Sequence, residues 1–272
     1  MRELPSILEE VHAKIAAACA RSGRDPAEVE IIAVTKTHGP ETVREAWESG
    51  LSIVGENKVQ EASWKKAASV AGPAWHLIGH LQGNKVRAAL GIFDFIHSVD
   101  SVKLAARIEA VAAETGALPR ILLEVNVSGE KSKNGMKEAE VEPALKFIGE
   151  NCPRITVEGL MTMAPFSENA EDARPVFRRL RLLRDQLEEK LHIRLPRLSM
   201  GMSNDYEVAV EEGATWVRLG TVLFGERPKL RQHSAGADSV DCGASGADSD
   251  NYAGFGGLDS YSGQGPTVRI LD

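Results

Sequence analysis

Cysteine, excess positive charge and long apolar runs are all scarce in this chain. The three cysteines, Cys19, Cys152 and Cys242, are an odd number without short spacing among 272 residues. They match neither a disulfide framework nor a zinc knuckle, and nothing in them points to an oxidising compartment. Formal net charge is −7, so no global basic field invites nucleic acid or an anionic membrane. No segment approaches the ~20 apolar residues of a membrane span. The opening Met1-Arg2-Glu3-Leu4-Pro5 is charged where a signal peptide would carry its apolar core. Nucleotide-binding fingerprints are missing too: the turn after the first apolar run is Thr37-His38-Gly39, and no Walker sequence occurs. These absences predict a soluble, cytoplasmic protein with neither nucleic acid nor membrane as partner. In such a chain the glycosylation pattern Asn126-Val127-Ser128 carries no weight.

What is present is a regular alternation. Apolar residues make up 43% of the chain, enough for one large core, and α/β barrels often reach this length as a single domain. Short apolar runs fall near residues 30–36, 51–55, 75–79, 94–99, 120–126, 156–163, 195–201 and 215–220. Most carry β-branched residues and end in Gly, Asn, Ser or Thr, as strands do. Several are apolar at consecutive positions, as strands covered on both faces should be. Helical patterns lie between them. Pro40 stands where a first turn begins, Val43, Ala46 and Trp47 form a stripe, and Gly50 follows the end. Leu104, Ile108 and Val111 repeat at helical spacing, as do Phe177, Leu180, Leu183, Leu187 and Leu191. Arg178, Arg179, Arg181 and Arg184 on that last helix read as a solvated face. An extra helix over 5–21, with Ile7, Val11, Ile15 and Ala18 on one side, precedes the first strand.

Eight strand–helix units predict a parallel sheet with right-handed crossovers, closed into a (β/α)8 TIM barrel over residues 1–227. An open doubly wound sheet is the alternative. Residues 228–272 are rich in Gly, Ser, Ala and Asp, with GADS at 236–239 and again at 246–249. Three basic residues against six aspartates leave this stretch net acidic. So little apolar surface predicts a disordered C-terminal tail.

The chemistry starts at Lys36, which closes Ile31-Ile32-Ala33-Val34-Thr35-Lys36. A long cation after apolar residues needs a partner or a job. Burial disfavours its charged form, and a neutral amine is the nucleophile that forms a Schiff base with an aldehyde. A lysine that merely snorkels to solvent is the plainer alternative. In a barrel, Lys36 would stand on the C-terminal face, where active sites lie and where the loops after strands seven and eight commonly hold phosphate. Those loops read Met200-Gly201-Met202-Ser203-Asn204-Asp205 and Arg218-Leu219-Gly220-Thr221. Ser203 or Asn204 is expected to cap the next helix, with Asn204 and Glu207 at capping-box spacing. Gly201 is expected to let the backbone approach a ligand. The amides of Gly220 and Thr221 and the hydroxyls of Ser203 and Thr221 make an expected anion cradle. A helix dipole supplies only ~0.3–1 kcal/mol per charge, so donated hydrogen bonds must carry most of the affinity. An amine and an oxyanion cradle on one rim suggest pyridoxal 5′-phosphate (PLP), which has an aldehyde at one end and a phosphate at the other. A sugar-phosphate or flavin barrel, with Lys36 purely electrostatic, is the rival.

The segments AVTKTHGPETVREAWESG, VGENKVQEA, WHLIGHLQGNK, HSVDSVKLA, LLEVNVSGEKSKNGM, GLMTMAP, LSMGMSNDYEVAVEEGATWVRLGT and LFGER together resemble the PLP homeostasis (PROSC-like) family. Its barrel is similar to the N-terminal domain of alanine racemase. The resemblance covers residues 5–227. It implies that Lys36 carries PLP as a Schiff base and that Ser203, Gly220 and Thr221 hold the phosphate. It also implies that Arg218 points toward the cofactor, at either the ring nitrogen or the phosphate. Asn57 and Met200 would line the ring pocket, with His80 nearby. Plainer readings stand beside these: Asn57 as a strand-end cap, Met200 as core filling, His80 as a structural histidine. His76, inside its strand, reads as structural. The loop Ser128–Gly135 reads as a mobile cover for the site, with Lys131 and Lys133 solvated.

Racemisation needs acid–base groups on both faces of the reacting carbon. In the racemases that this barrel resembles, the second base comes from a β-rich domain of a partner subunit, which the tail here cannot supply. Tyr206 is the only tyrosine of the barrel, since Tyr252 and Tyr261 fall in the tail. The expected function is a PLP carrier for intracellular PLP homeostasis, not an enzyme and without a metal. A slow PLP-dependent amino-acid racemase is the alternative. The expected partners are PLP and PLP-dependent apoenzymes, and the chain is expected to be a monomer.

Overall fold

A computed structural model describes residues 3–69, 72–130 and 133–225. The tail expected over 228–272 lies outside the described residues. Each apolar run forms one strand: β1 (Glu30–Val34), β2 (Ile53–Glu56), β3 (Ala74–Leu77), β4 (Phe95–Val99), β5 (Arg120–Glu124), β6 (Thr156–Met161), β7 (Arg197–Met202) and β8 (Trp216–Leu219). All pair in parallel and in chain order, and β8 returns to β1, so the sheet is a closed barrel. Closure removes the open-sheet alternative: Glu30 through Ala33 pair with Trp216 through Leu219. The helices among the described residues are α1 (Leu4–Ser22), α2 (Pro40–Glu48), α3 (Val59–Ala68), α4 (Val86–Leu90), α5 (Val102–Thr115), α6 (Glu138–Asn151), α7 (Arg174–Leu191), α8 (Tyr206–Glu211) and α9 (Thr221–Phe224).

The two-residue period of a strand sorts side chains between two cores. In β1, Ile31 and Ala33 join the large cluster between strands and helices, whereas Ile32 joins the cluster inside the barrel. The inner cluster also holds Ile53, Phe95, Leu122, Met161 and Trp216. His76 and His97 pack with Phe95 and Trp216 there, their ring centroids 4.7 to 5.5 Å apart. The helical stripes feed the outer core. Leu104, Ile108 and Val111 of α5 are buried, with the Ser101 hydroxyl accepting the Leu104 amide as the cap. Each such side chain contributes roughly 1.5–3 kcal/mol by leaving water. The stripe on α2 is narrower than expected: Val43 and Ala46 are buried, but Trp47 is 45% exposed.

The arginine face of α7 also differs from expectation. Arg174, Arg178 and Arg181 converge on the Glu212 carboxylate at 3.1, 3.0 and 3.3 Å. Glu212 is itself buried, so these cations tie α7 to the end of α8 rather than simply facing solvent. Among the described residues, no helix is long and apolar enough to cross a membrane.

Candidate functional site

Closure of the sheet sets the loop after β1 beside the loop after β8. Ala33 pairs with Leu219, which puts Gly220 against Val34. A Cβ on Gly220 would stand 3.4 Å from both the Cβ and the carbonyl oxygen of Val34. The His38 ring meets Phe224 of α9, centroids 5.7 Å apart, and links the two loops again. β1 stops at Val34, so Lys36 lies just beyond the strand. It is half-buried in a turn closed by the His38 amide, which donates to the Thr35 carbonyl at 3.1 Å.

Between the loops after β7 and β8, the Ser203 hydroxyl oxygen accepts the amides of Gly220 and Val222 at 3.3 and 3.2 Å. Thr221 lies between them, exposed, at the start of α9. Ser203 therefore does not cap α8. Asp205 occupies the cap position and its carboxylate accepts the Met202 amide at 2.6 Å. Asn204 donates to the Ser167 carbonyl at 2.8 Å, and Glu207 pairs with Lys14 and Arg21, so the expected capping box does not form. Gly201, just before this loop, is tightly packed. Its φ is +89°, and a Cβ there would come within 2.5 Å of the Ala209 Cβ. This glycine permits the left-handed backbone beside a register shift at the end of β7 and close packing onto α8.

The Lys36 turn is held from beneath by a charged cluster. Lys65 of α3 is fully buried, and its ammonium donates to the Thr35 carbonyl, Glu56 Oε1 and Glu61 Oε1 at 2.7, 2.7 and 2.8 Å. The Thr35 hydroxyl donates to Glu56 Oε1 at 2.6 Å, and the Thr37 amide donates to Glu61 Oε1 at 2.5 Å. Burial pushes the Glu56 carboxyl above its ordinary range, although hydrogen bonds from Lys65 and Thr35 oppose it. Burial also pushes Glu61 upward, but its bonds from Lys65 and the Thr37 amide outweigh that and hold it low. Sequence reasoning missed this cluster. The only signal was Glu61 and Lys65 four residues apart on one helix.

Inside the barrel, Arg218 on β8 is buried and donates through Nη1 to the carbonyl and hydroxyl oxygens of Ser199, both at 2.7 Å. Its Nη2 donates to the Thr162 carbonyl at 2.8 Å. Burial pulls this guanidinium down to about 10, while the Asp205 and Glu124 carboxylates oppose the shift. The Ser199 hydroxyl continues to His97 Nδ1 at 3.0 Å, and His97 Nε2 to His76 Nδ1 at 2.9 Å. Burial, reinforced by Arg120 and Arg197, pulls His76 down to about 3. Burial, with His76 and Arg218 adding, also pulls His97 well down, so both rings are neutral at pH 7. Burial and then Asp100 push the Glu124 carboxyl up to about 7, against the pull of Arg218.

The remaining expected residues separate. Asn57 follows β2, and a Cβ on Gly79 would come within 2.4 Å of the Asn57 carbonyl oxygen, so the ends of β2 and β3 touch. His80 is exposed and pairs with Asp100 at 3.2 Å. It lines a cavity of 620 Å³ with Gln82, Asn84, Lys103 and Arg107, among whose lining residues neither Lys36 nor the cradle occurs. Met200 is fully buried in the outer cluster with Leu198, on the strand face opposite Ser199. It fills core instead of lining the barrel mouth. Lys133 is not a solvated loop lysine: it donates to the Met163 carbonyl at 3.2 Å and pairs with Glu130 at 3.4 Å. Asn126 organises the same loop, donating to the Glu130 and Lys133 carbonyls. Lys131 lies outside the described residues. Tyr206 is buried with its hydroxyl unpartnered among the described residues. Burial and then Glu207 push it up to about 12, which makes it a poor proton donor or acceptor at neutral pH.

The sequence model described as the alanine racemase N-terminal domain matches residues 8–228. A pyridoxal phosphate homeostasis protein of Aquifex aeolicus is 45% identical over 221 residues, which are 81% of this chain and 96% of that protein. The chain belongs to the pyridoxal phosphate homeostasis protein family. The Pseudomonas aeruginosa protein of the same name is 43% identical, over 84% of this chain and 97% of its own. The solved structure of PipY from Synechococcus elongatus with PLP bound is 38% identical with a TM-score of 0.68, covering 78% of this chain and 100% of that one. An alanine racemase of Clostridium difficile is 14% identical with a TM-score of 0.65, covering 84% of this chain and 58% of that one, a likeness of fold alone. The homeostasis family and the racemase-like barrel are thus the family and the fold that the motifs implied.

Proposed function

We propose that this protein holds PLP at two points on the barrel rim, as a reversible carrier rather than an enzyme. The Lys36 amine attacks the aldehyde carbon and water leaves, giving a Schiff base. The amides of Gly220 and Val222, with the Ser203 and Thr221 hydroxyls, take the phosphate. The observation that carries this reading is the seam between β1 and β8, where Gly220 lies against Val34, two residues from Lys36. The donor set fits an oxyanion: two amides already converge on one acceptor oxygen, and Ser203 and Thr221 add hydroxyls.

Arg218 belongs to the ring end of the ligand. Its guanidinium is fixed inside the barrel on Ser199 and Thr162, whereas the cradle amides sit in the loop beyond the strand. Asn57, at the end of β2, is the other candidate for the ring. When bound, PLP brings the reactive aldehyde; the chain contributes the amine, the anion donors and the barrel wall. A carrier needs no second acid–base group. The buried Tyr206, pushed up to about 12 by burial, supports that reading, as do the names of the relatives. Exchange of the imine with incoming amines would release the cargo to apoenzymes in the cytoplasm.

The test is an absorption spectrum of the purified protein with PLP, before and after borohydride, followed by mapping of the labelled peptide. We expect an imine band and a reduced adduct on Lys36. A protein that stays colourless with added PLP, or an adduct confined to another lysine, would refute the proposal.

A further inference from the structure

Two bonds from one charged cluster land on the residues immediately before and after Lys36. Lys65 holds the Thr35 carbonyl, and Glu61, itself bound to Lys65, holds the Thr37 amide. Thr37 has φ +70°. A β-branched residue adopts that left-handed conformation only where its surroundings impose it. Glu61 is the group that takes its amide. The cluster is an odd way to gain stability, because buried charge pairs are often replaceable by apolar residues without loss. Glu56 Oε2 is even left buried without a hydrogen-bond partner among the described residues. What the cluster does achieve is to fix the backbone on both sides of one lysine.

We propose that Glu61 and Lys65 are positioning residues that set the direction of the Lys36 side chain for imine formation. This rests on the carrier reading above. The ammonium of Lys65 satisfies all its donors on Thr35, Glu56 and Glu61. It therefore serves as a rigid post, and Glu61 transmits its position to Thr37. Loss of the tether frees the turn to leave the left-handed region, and the amine then samples directions away from the aldehyde. The cradle on the loops after β7 and β8 should be indifferent to this.

The decisive variant is Glu61→Ala. The Glu61 side chain is 18% exposed, and its removal leaves the Lys65–Glu56 pair and the Lys65–Thr35 bond in place. Imine formation is read from the absorption band during titration with PLP. Phosphate-end binding is read with pyridoxine 5′-phosphate, which has the phosphate but no aldehyde. We expect E61A to weaken imine formation about tenfold, the worth of one charge-assisted hydrogen bond, and to bind the aldehyde-free analogue like wild type. Glu61→Gln, which keeps an acceptor oxygen, should recover most of the imine. Thr37→Gly in the E61A background should also restore it, because glycine accepts the left-handed backbone without a tether. Equal imine formation in E61A and wild type would overturn the proposal. So would an equal loss of analogue binding, an absence of rescue by glycine, or an E61A protein that no longer folds, since the tether would then be a stability element. A wild-type protein that makes no imine defeats the carrier reading itself, a result visible before any variant is compared.

Discussion

Ser203 and Lys36 hold different ends of one proposed ligand, and their substitutions should separate cleanly. Ser203 accepts two backbone amides at 3.3 and 3.2 Å. With Ser203→Ala those amides lose their acceptor, and the phosphate loses a hydroxyl that helps gather it. Loss of one such hydrogen bond to a charged group costs about 1.5–3 kcal/mol. PLP affinity should therefore fall by roughly ten- to 150-fold, while binding of pyridoxal, which lacks the phosphate, stays unchanged. Lys36→Ala should do the reverse: the imine band disappears, and a weaker, phosphate-dependent PLP affinity persists. Paired fluorescence titrations of both variants with both ligands check this. Loss of all PLP binding in K36A, or equal sensitivity of S203A to pyridoxal and PLP, would contradict two-point attachment. The remaining carry-overs from the motifs sort by geometry. Gly220, Thr221 and Arg218 join this rim and the barrel beneath it, whereas Met200 turns into the outer core and His80 faces a side cavity.

Strands and helices were largely legible in the sequence because each has a period that apolar residues reveal. What stayed hidden depended on which face of a strand a residue takes. A strand covered on both sides is apolar throughout, so nothing in Leu198-Ser199-Met200 tells which residue looks inward. Ser199 turns out to face the axis and Met200 the helices. Partners far apart in the chain were equally invisible: His97 meets Ser199 across 102 positions. The misplaced cap of α8 has the same origin, since Ser203 is drawn to amides of the next unit. The buried histidine chain carries a consequence for acid stability. His76 is pulled down to about 3 in the folded protein, chiefly by burial, against an ordinary value of about 6.5. Between those values the unfolded chain binds a proton that the folded barrel refuses. The His76 contribution to stability is therefore fully present above about pH 6.5 and is lost as pH drops. Glu124, pushed up to about 7, acts oppositely, because there the folded state keeps a proton that the unfolded chain releases. A substitution isolates the histidine contribution. His76→Gln should make the decline between pH 6 and pH 4 shallower by about 1.4 kcal/mol per pH unit, one proton's worth. Urea unfolding at several pH values measures it, and an unchanged slope would mean that His76 titrates normally.

At the scale of the whole molecule, the barrel is closed by its own residues. β8 pairs with β1, α1 packs Leu4, Leu8, Val11 and Ile15 into the outer core, and the sheet has no edge that another segment must cover. The family match ends at residue 228, next to the last described helix, α9. The cradle, the Lys36 turn and the charged cluster beneath it all lie within residues 35–222. The sequence beyond Arg227 is Gly-, Ser- and Asp-rich and has little apolar surface to contribute. A chain truncated after Arg227 should therefore keep both fold and ligand. One kcal/mol moves the melting temperature of a domain of this size by about 2–4 °C, so we expect a shift smaller than about 2 °C. The PLP titration should superimpose on that of the full chain. A larger drop in melting temperature, or a weakened imine band in the truncated protein, would show that residues 228–272 take part in closing the barrel or in holding its cargo. Retention of both would instead leave the acidic segment free for a role outside the cofactor site.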